Sequence, residues 1–401
     1  MKHTQVVVVG ADPVGLVTAL GLAKAGLDVL VVDTGREASA CAPCVHDWSV
    51  LPGLDRLGVL EDATQAGFTD PSWCLRVLQT GEHLTFDLGV LAGLTPHPYN
   101  LHVEDTALCE VLERHLARHR TKPIERNARL VDLAQDQSGV EIVLETGDGV
   151  RRLRTDWVVA ADGTSSMVRR LLGLGFRGST WHDRSVVALV DADFAGRDYA
   201  GTTLQVDDRY GAVVHKVDDR RWRYTFDESL TLPEESVGAR IPGVLRKVLG
   251  SVPFHVLDWH SSRMHQRTSD QYRAGRVLLV GDSAHVANRM IGHSPITAFF
   301  DAYRLIEALS AVAGGYADER VLDKYSEGRK RVFLDHALPA SAGRKHLISQ
   351  ISDRRQLETE LEHYRLASAD PEALRELLLF NRELEGDSPL PRGTSSVSVF
   401  S

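Results

Sequence analysis

Short runs of β-branched residues alternate with longer helical patterns at the start of the chain. Val6–Val9 is an apolar run that ends at Gly10, and a helical pattern follows from Pro13 through Gly26. A second apolar run, Val29–Val32, stops at Asp33. A strand, a tight turn, a helix and a second strand within about 30 residues have the size of a βαβ unit that binds a dinucleotide.

Two later apolar runs also end in short polar signatures. Trp157–Ala161 is followed by Asp162-Gly163, and Gly275–Val280 is followed by Gly281-Asp282. The carboxyl ends of parallel strands line one crevice of an open α/β sheet, so we expect these signatures to meet the opening turn there. Asp33 would lie at the same edge, where an acidic side chain accepts hydrogen bonds from a ribose diol. Each signature alone is weak evidence, because Asp-Gly commonly forms only a turn.

The pattern changes between about residues 185 and 259, where short β-rich pieces alternate with turn residues. These pieces are Val186–Val190, Thr203–Val206, Ala212–Lys216 and Trp222–Phe226. Their spacing predicts a largely antiparallel sheet.

Two long helices are predicted outside that sheet. Apolar residues recur at helical spacing from Asp105 to Arg120, with an N-cap at Asp105-Thr106. A second helix is predicted from Pro295 to Leu309, and the chain beyond it is rich in Leu, Arg and Glu.

The predicted fold class is therefore α/β, with one sheet inserted into another. A discontinuous Rossmann-like βαβ domain takes residues 1–70, 101–184 and 268–335. An inserted, mainly antiparallel β-sheet domain takes residues 71–100 and 185–267. A helical segment takes residues 336–387, and we expect residues 388–401, which are polar and rich in Ser, to form a mobile tail.

Composition narrows the function classes. The chain has 401 residues, of which 43% are hydrophobic and 25% are charged, as in ordinary soluble globular proteins. A formal net charge of −9 argues against a nucleic-acid partner. No run approaches the ~20 apolar residues of a membrane span, and the first strand begins too early for a signal peptide. We therefore expect a cytoplasmic protein without a membrane partner.

Cysteine usage gives little sign of metal or redox chemistry. Cys41 and Cys44 have CxxC spacing, but no second pair follows to complete a zinc site. We predict no metal site and a reduced pair of loop cysteines.

The combined motifs identify a resemblance. They are Gly10-Ala-Asp-Pro-Val-Gly15, Ala161-Asp-Gly-Thr-Ser-Ser166, Gly275-Arg-Val-Leu-Leu-Val-Gly-Asp-Ser-Ala-His285, Asp301-Ala302, and Tyr325 with Arg329. From Val6 to about Val332 the chain resembles the group A flavin monooxygenases, aromatic hydroxylases with the para-hydroxybenzoate hydroxylase fold.

The resemblance implies an FAD site and a substrate site. Family members use NADPH to reduce the flavin and O2 to hydroxylate an aromatic substrate. By position, Gly10 and Gly15 would take the pyrophosphate, Asp33 the adenosine ribose and Asp282 the ribityl chain. The remaining cofactor positions implied by the family are Asp12, Val14, Asp162, Gly163 and Gly281.

Several residues depart from the family pattern where flavin would be contacted. Asp12 replaces a glycine, and its charge beside two phosphates would cost as much as ~4 kcal/mol in a partly desolvated cleft. Ala42-Pro43 stands at an arginine position and Asn288-Arg289 at a Pro-Pro position. The glycine-rich loop reads Met290–Ala298 and keeps only Gly292. Alternatively, Asp12 turns outward and caps the following helix.

These departures lead to three alternative functions. The first interpretation is that FAD is lost and that a non-redox cyclase, isomerase or dehydratase acts on a bulky aromatic or polyketide-like small molecule. His293, Arg289 and His285 are then the catalytic candidates, as acid, base or oxyanion stabiliser. The second is a genuine FAD- and NADPH-dependent monooxygenase, and the third is a non-catalytic protein that binds a pathway intermediate.

Overall fold

A computed structural model describes residues 3–35, 44–119, 122–288 and 293–391. Its strands are β1 (His3–Val9), β2 (Val29–Val32), β3 (Val45–His46), β4 (Phe68–Asp70), β5 (Ser72–Val77), β6 (Glu82–Asp87), β7 (Asn100–His102), β8 (Arg129–Asp136), β9 (Gly139–Thr146), β10 (Gly149–Ala160), β11 (Phe176–Ala192), β12 (Thr202–Val206), β13 (Ala212–Lys216), β14 (Arg221–Ser229), β15 (Phe254–Ser269), β16 (Arg273–Ala274), β17 (Val277–Leu279) and β18 (His285–Val286). Its α-helices are α1 (Pro13–Lys24), α2 (Leu51–Arg56), α3 (Leu60–Gln65), α4 (Asp105–Leu116), α5 (Met167–Leu171), α6 (Val237–Leu249), α7 (His293–Ala313), α8 (Arg320–Val332), α9 (Leu338–Ser349), α10 (Arg354–Ala369) and α11 (Pro371–Glu383).

The first sheet contains the predicted βαβ unit. Its strand order is β16-β17-β10-β1-β2, with β9 paired to β10 and β8 paired to β9. Strands β17, β10, β1 and β2 run parallel, and Val9 lies opposite both Ala160 and Val32, while Ala160 lies opposite Leu279. The carboxyl ends of these strands therefore meet at one edge of the sheet, as predicted. Their apolar runs are continuous because both faces of a parallel sheet are covered.

Helix α1 packs against helix α7 at very short range. A Cβ atom added to Gly21 would lie 2.4 Å from Cδ1 of Ile306, so a larger residue here would force the Ile306 side chain to move. Helix α7 begins at His293, two residues before the predicted Pro295. Helix α4 begins at Asp105, and Glu104 occupies the N-cap position without a side-chain capping bond. The predicted N-cap at Asp105-Thr106 is therefore wrong by one residue.

The second sheet is the predicted insertion, but it is larger than the predicted range. Its strand order is β18-β15-β11-β14-β13-β12-β5-β6, and all of its pairings are antiparallel except that between β12 and β5. Strand β11 begins at Phe176 and pairs with β15 as far as Ser269. Both ends lie outside 185–267, because the polar residues of 176–184 give no alternating pattern yet still pair. Strands β3, β7 and β4 form a small third sheet beside it.

The helices near the carboxyl end cover part of the inserted sheet. Leu347 and Ile348 of α9, Leu357 of α10 and Leu374 of α11 are buried in one cluster with Trp73 of β5. The predicted helical character of residues 336–387 is therefore present. Of the predicted tail, only residues 388–391 are described. Among the described helices, none is both long and apolar enough to cross a membrane.

Replacing Gly15 by alanine should destabilise the fold strongly. Its Cβ would lie 2.2 Å from the carbonyl oxygen of Gly10, which is far inside van der Waals contact. We expect a loss of about 2–3 kcal/mol in the free energy of unfolding, as for other overpacked buried positions, measured by urea denaturation. Gly243→Ala is the control, because a Cβ there meets no atom within 4 Å and alanine favours helix by about 1 kcal/mol. Equal stability of the two variants would contradict the prediction.

Candidate functional site

The opening turn is built from two close backbone approaches. Gly10 has a φ of 111°, and an added Cβ would lie 2.3 Å from the carbonyl oxygen of Ala161. A Cβ added to Gly15 would lie 2.2 Å from the carbonyl oxygen of Gly10. The first N–H groups of α1 have no intrahelical acceptors, and such a helix start favours an anion. The turn therefore fits a pyrophosphate, although both glycines are also required by the fold itself.

Asp12 occupies the N-cap position of α1 and is exposed to solvent. Asp12 therefore stands at the start of the helix, as the capping alternative requires. Its side chain forms no capping hydrogen bond, however, and in this respect the alternative is wrong. In bulk water two charges at ~4 Å interact by only ~1 kcal/mol, against ~4 kcal/mol in a partly desolvated cleft. An exposed carboxylate here is therefore compatible with a bound phosphate.

Asp33 lies at the end of β2 and is tied to the opening turn. Its Oδ2 accepts a hydrogen bond from the backbone N–H of Ala11 at 3.1 Å, and its Oδ1 accepts one from Gly35 at 2.7 Å. A carboxylate has about four acceptor sites, so these bonds leave capacity for a ribose hydroxyl. The geometry agrees with the ribose role implied by the family.

Asp162 mainly caps a helix. Its Oδ2 accepts hydrogen bonds from the N–H groups of Met167 at 2.7 Å and Val168 at 3.1 Å, at the start of α5. Burial raises the pKa of this carboxyl, although these hydrogen bonds oppose the rise. Its Oδ1 is buried without a partner among the described residues. Gly163 follows with a φ of 76° and allows the turn.

Gly281, Asp282 and Val14 lie together where α1 faces the end of β17. A Cβ added to Gly281 would lie 3.2 Å from Cβ of Ala298 and 3.3 Å from Cγ1 of Val14. The Gly281 N–H donates to Oδ2 of Asp301 at 3.2 Å. Asp282 follows directly and is half-buried, which places a carboxylate beside the start of α1.

His285 belongs to a buried ionic network. Its Nε2 lies 2.6 Å from Oδ2 of Asp301, and Nε of Arg329 donates to the other oxygen of Asp301 at 2.6 Å. The imidazole is fully buried and stacks on Phe333 at 4.4 Å between ring centroids. This setting suits a positioning role, because Asp301 and Phe333 hold the ring in place. The predicted catalytic role stays untested.

His293 is the first residue of α7 and is almost fully buried. Neither ring nitrogen has a hydrogen-bond partner in the described part of the chain. Its ring meets that of Phe380 edge to face at 5.9 Å. Burial, with a smaller effect of the Arg344 charge, lowers the pKa of His293 well below its usual value. The lowered pKa favours the neutral imidazole, and neither ring nitrogen is satisfied by the residues described.

Several residues with predicted roles are not among the residues that the structure describes. They are Arg289, Cys41, Ala42-Pro43 and Met290–Gly292. Their predicted roles therefore stay predictions. Cys44 is buried, and burial raises the pKa of its thiol. Among the residues described, no group of His, Cys, Asp and Glu side chains could hold a metal ion.

Sequence reasoning missed a group of polar residues where the third sheet and α4 meet the inserted sheet, which we call the interdomain cluster. It consists of Cys44, His46, His102, Asp105, His215 and Arg223. Nε2 of His46 lies 3.8 Å from Oδ1 of Asp105, and burial lowers the pKa of His46 to about 4. Nδ1 of His102 lies 3.0 Å from the Lys216 carbonyl oxygen, which fixes the small sheet to β13.

Asp105 connects this cluster to the crevice at the carboxyl ends of β17, β10, β1 and β2, which we call the strand-end crevice. Burial raises its pKa to about 7; the Arg223 charge opposes that rise, and the charges of Asp12 and Asp282 add to it. Sγ of Cys109, on the same helix, lies 3.6 Å from the carbonyl oxygen of Ala11, so α4 lies beside the opening turn. In the sequence, Asp105 stands out only as an acidic residue at the predicted start of a helix.

The strand-end crevice and the fold define a dinucleotide-binding protein of the flavoprotein type. Residues 3–336 match the family model described as an FAD binding domain. The chain is 35% identical over 388 residues to 6-hydroxy-3-succinoylpyridine 3-monooxygenase HspB of Pseudomonas putida (strain DSM 28022 / S16), covering 93% of this chain and 99% of that protein. The chain therefore belongs to the FAD-binding family of flavin-dependent aromatic monooxygenases.

Solved structures agree with this assignment. The crystal structure of p-nitrophenol 4-monooxygenase PnpA from Pseudomonas putida DLL-E4 has a TM-score of 0.91 and 33% identity, over 96% of this chain and 99% of that one. Aklavinone-11 hydroxylase, in a ternary complex with FAD and aklavinone, has a TM-score of 0.77 and 25% identity, over 87% of this chain and 70% of that one. The non-redox interpretation gains no support, because these relatives are monooxygenases or hydroxylases. The exposure of Asp12 also weakens the argument that its charge excludes a flavin.

Replacing Asp105 by asparagine should change how stability depends on pH. The pKa of Asp105 in the fold, about 7, lies above its unfolded value, so the native state holds a proton that the unfolded state has lost. The contribution of Asp105 to wild-type stability should therefore fall as the pH rises from about 4 to about 7. The melting temperature of Asp105→Asn relative to wild type should rise by several degrees over that window and level off above it.

Glu110→Gln provides the control, because Glu110 is exposed on the same helix. Its difference from wild type should stay constant over the same pH range. A constant difference for Asp105→Asn as well would contradict the raised pKa.

Proposed function

We propose that this protein is an FAD-dependent monooxygenase that hydroxylates a small aromatic compound with NADPH as reductant. One observation carries the proposal. The parallel strands β17, β10, β1 and β2 bring Gly10–Gly15, Asp33 and Asp282 to one edge, in a chain that aligns with such enzymes over almost its whole length.

The residues at that edge suit each part of the cofactor. The start of α1 would receive the pyrophosphate, Asp33 the adenosine ribose and Asp282 the ribityl chain. When bound, FAD supplies redox chemistry: it accepts two electrons from NADPH and activates O2 for insertion of one oxygen atom into an aromatic ring. The remaining contributions come from this chain, which orients the substrate and keeps water away from the site.

The substrate is a small hydroxylated ring rather than a bulky polyketide. Two relatives that align over nearly all of this chain and of their own are named for a substituted hydroxypyridine and for nitrophenol. Those names support a single-ring phenol or hydroxypyridine for this protein. Relatives named for larger substrates, aklavinone and 6-methylpretetramide, are 25% and 30% identical, and the alignments cover only 70% and 59% of their own lengths.

His293 is the residue of this chain that we assign to proton transfer at the site. It begins α7, next to the segment that leads from the end of β17, and both of its ring nitrogens are buried without described partners. A neutral imidazole can accept a proton from a phenol or donate one to a product oxygen. Arg289, four residues earlier in the sequence, stays a predicted stabiliser of an anionic oxygen.

The proposed function is tested directly by the purified protein. We expect stoichiometric bound flavin by its absorption spectrum, and NADPH and O2 consumption that a phenol or hydroxypyridine stimulates. In FAD titrations of the apoprotein, Asp12→Gly should tighten binding no more than about fivefold, since its charge costs only ~1 kcal/mol when exposed. Asp33→Asn, the comparison variant, should weaken binding. Protein that binds no FAD would exclude the function.

Replacing His293 by glutamine should reduce turnover without loss of cofactor. We expect kcat to fall about 100-fold, within the range for loss of a general acid or base, with a smaller change in KM. Flavin content and melting temperature should remain near wild type. His363→Gln, an exposed histidine of α10, should leave kcat unchanged. Wild-type turnover in His293→Gln would refute this role.

A further inference from the structure

Strand β15 (Phe254–Ser269) has a neighbour on only one side along most of its length. It pairs with β11 from Phe254 to Ser269, and its other side pairs with β18 only at Arg267 and Thr268. In the part of the chain that the structure describes, no strand pairs with the outer side of residues 254–266. An open edge of this kind presents N–H and C=O groups that a further strand can bind.

The backbone groups of Trp259, Ser261 and Arg263 point outward along this edge. The N–H of Trp259 donates to Oδ1 of its neighbour Asp258 at 2.8 Å, and not to β11. Successive residues of an antiparallel strand direct their N–H and C=O groups to opposite edges. The register with β11 is regular from Asp258 to Arg263. Since Trp259 is turned outward, Ser261 and Arg263 are therefore turned outward as well.

Register shifts limit the part of this edge that another strand can follow. The pairing of β15 with β11 shifts at Leu257, which has no residue opposite it, and again after Arg263. Such irregularities bend a strand and interrupt its ladder. Trp259, Ser261 and Arg263 lie between the two shifts, and Ser261 is the middle residue of the three.

This part of the edge also carries exposed side chains of complementary kinds. Trp259 is 39% exposed, and Leu257 beside it is 50% exposed. Arg263 is exposed, and no described acidic side chain forms an ion pair with it. Oγ of Ser261 donates to Oε1 of Glu234 at 3.3 Å, and the Glu234 side chain is 70% exposed. An aromatic ring, a cation and a carboxylate therefore lie along one short stretch.

We propose that two copies of this protein form a dimer by pairing their β15 edges antiparallel about a two-fold axis at Ser261. In this register Ser261 faces Ser261 of the second copy, and Trp259 faces Arg263 of the second copy on either side of the axis. Each of these pairs exchanges two main-chain hydrogen bonds, because its members turn their N–H and C=O groups towards one another. The two inserted sheets become one continuous sheet.

The side chains select this register over its neighbours. A two-fold interface uses the same patch on both copies, so a residue on the axis meets itself. An axis at Arg263 would place two like charges opposite each other, which destabilises a sheet. An axis at Trp259 would bring the register shift at Leu257 into the paired stretch. The axis at Ser261 avoids both.

Complementarity within the edge favours a second copy over an unrelated strand. Directly opposite side chains of an antiparallel pair have Cβ atoms about 5 Å apart, so the guanidinium of Arg263 reaches the ring of Trp259 of the second copy. A cation over an aromatic ring is attracted by it. Glu234 lies beside Ser261, diagonal to Arg263 of the second copy, and adds a carboxylate within reach of that long side chain. Both halves of the match thus come from the same segment.

Ser261→Pro tests the pairing, because proline lacks the N–H that would donate to the second copy. That N–H is turned away from β11, so the existing sheet loses no hydrogen bond and the variant should melt near the wild-type temperature. Sedimentation velocity of the purified protein from about 1 to about 100 µM should show a wild-type dimer. The variant should have a dissociation constant at least about 30-fold higher. Ser261→Ala, the matched control, keeps the N–H and should form the dimer.

Trp259→Arg tests the register, because it places an arginine opposite Arg263 of the second copy. We expect a dissociation constant at least about tenfold higher than that of wild type, since like charges directly opposite destabilise paired strands. The loss should be larger at low salt, where exposed charges are screened less. Tyr316→Arg is the control, because Tyr316 is an exposed aromatic residue outside the inserted sheet. Its dimer should be that of wild type.

Ser261→Cys tests the position of the axis. The two Cα atoms of a hydrogen-bonded antiparallel pair lie about 5.5 Å apart, so a short bismaleimide should join the two copies of this variant covalently. Val150→Cys, at an exposed position of β10, should stay unlinked under the same conditions. Wild type, with its native cysteines, should stay unlinked as well.

Three outcomes would overturn the dimer. They are wild-type protein that is monomeric over the whole concentration range, a dimer that persists in both Ser261→Pro and Trp259→Arg, and Ser261→Cys protein that the reagent does not link. If Ser261→Pro fails to fold, Trp259→Arg and Ser261→Cys still decide. None of these measurements depends on flavin content or turnover, so the proposed function is tested separately.

Discussion

The contact between the opening turn and the end of β10 determines where everything else in the site lies. The Gly10 N–H donates to the Val32 carbonyl and the Ala161 N–H donates to the Val9 carbonyl, each at 2.8 Å. Three strand ends are thereby joined, and no side chain fits between Gly10 and Ala161. This constraint acts with or without a cofactor. The two glycines of the turn are thus evidence for the fold first, and for the ligand only through the groups that the fold brings beside them.

A buried carboxylate extends the same constraint to the helices. Asp301 accepts from the Gly281 N–H and pairs with His285 and Arg329. Burial alone would raise its pKa, but the two partners lower it below the usual value. Removing one partner of such a network typically costs about 3–5 kcal/mol, because a charge is left uncompensated. Through Asp301, the network ties His285 to the backbone of Gly281, next to Asp282.

The sequence alone predicts which residues lie at the strand ends, but it does not predict the surface of the inserted sheet that faces them. Asp33, Asp162 and Asp282 each follow an apolar run, and parallel pairing brings such ends together by rule. His215 and Arg223 stand at polar positions of alternating strands, a pattern that predicts solvent exposure. They are instead covered because a second domain packs over them, and periodicity along one strand carries no information about a distant segment. The sequence pattern also gives no sign of the start of β11. The polar residues there pair through backbone hydrogen bonds, which do not depend on an alternating side-chain pattern.

Asp12 shows why the cost of a charge depends on its surroundings more than on its position in a motif. In a desolvated cleft, repulsion of ~4 kcal/mol would weaken phosphate binding about a thousandfold. The structure places the carboxylate at the exposed start of α1, where water reduces the repulsion to ~1 kcal/mol, about fivefold. The same helix start favours a bound anion by up to ~1 kcal/mol, which offsets most of that. A replaced glycine is therefore weak evidence for a lost cofactor, and the intact geometry around it outweighs the substitution.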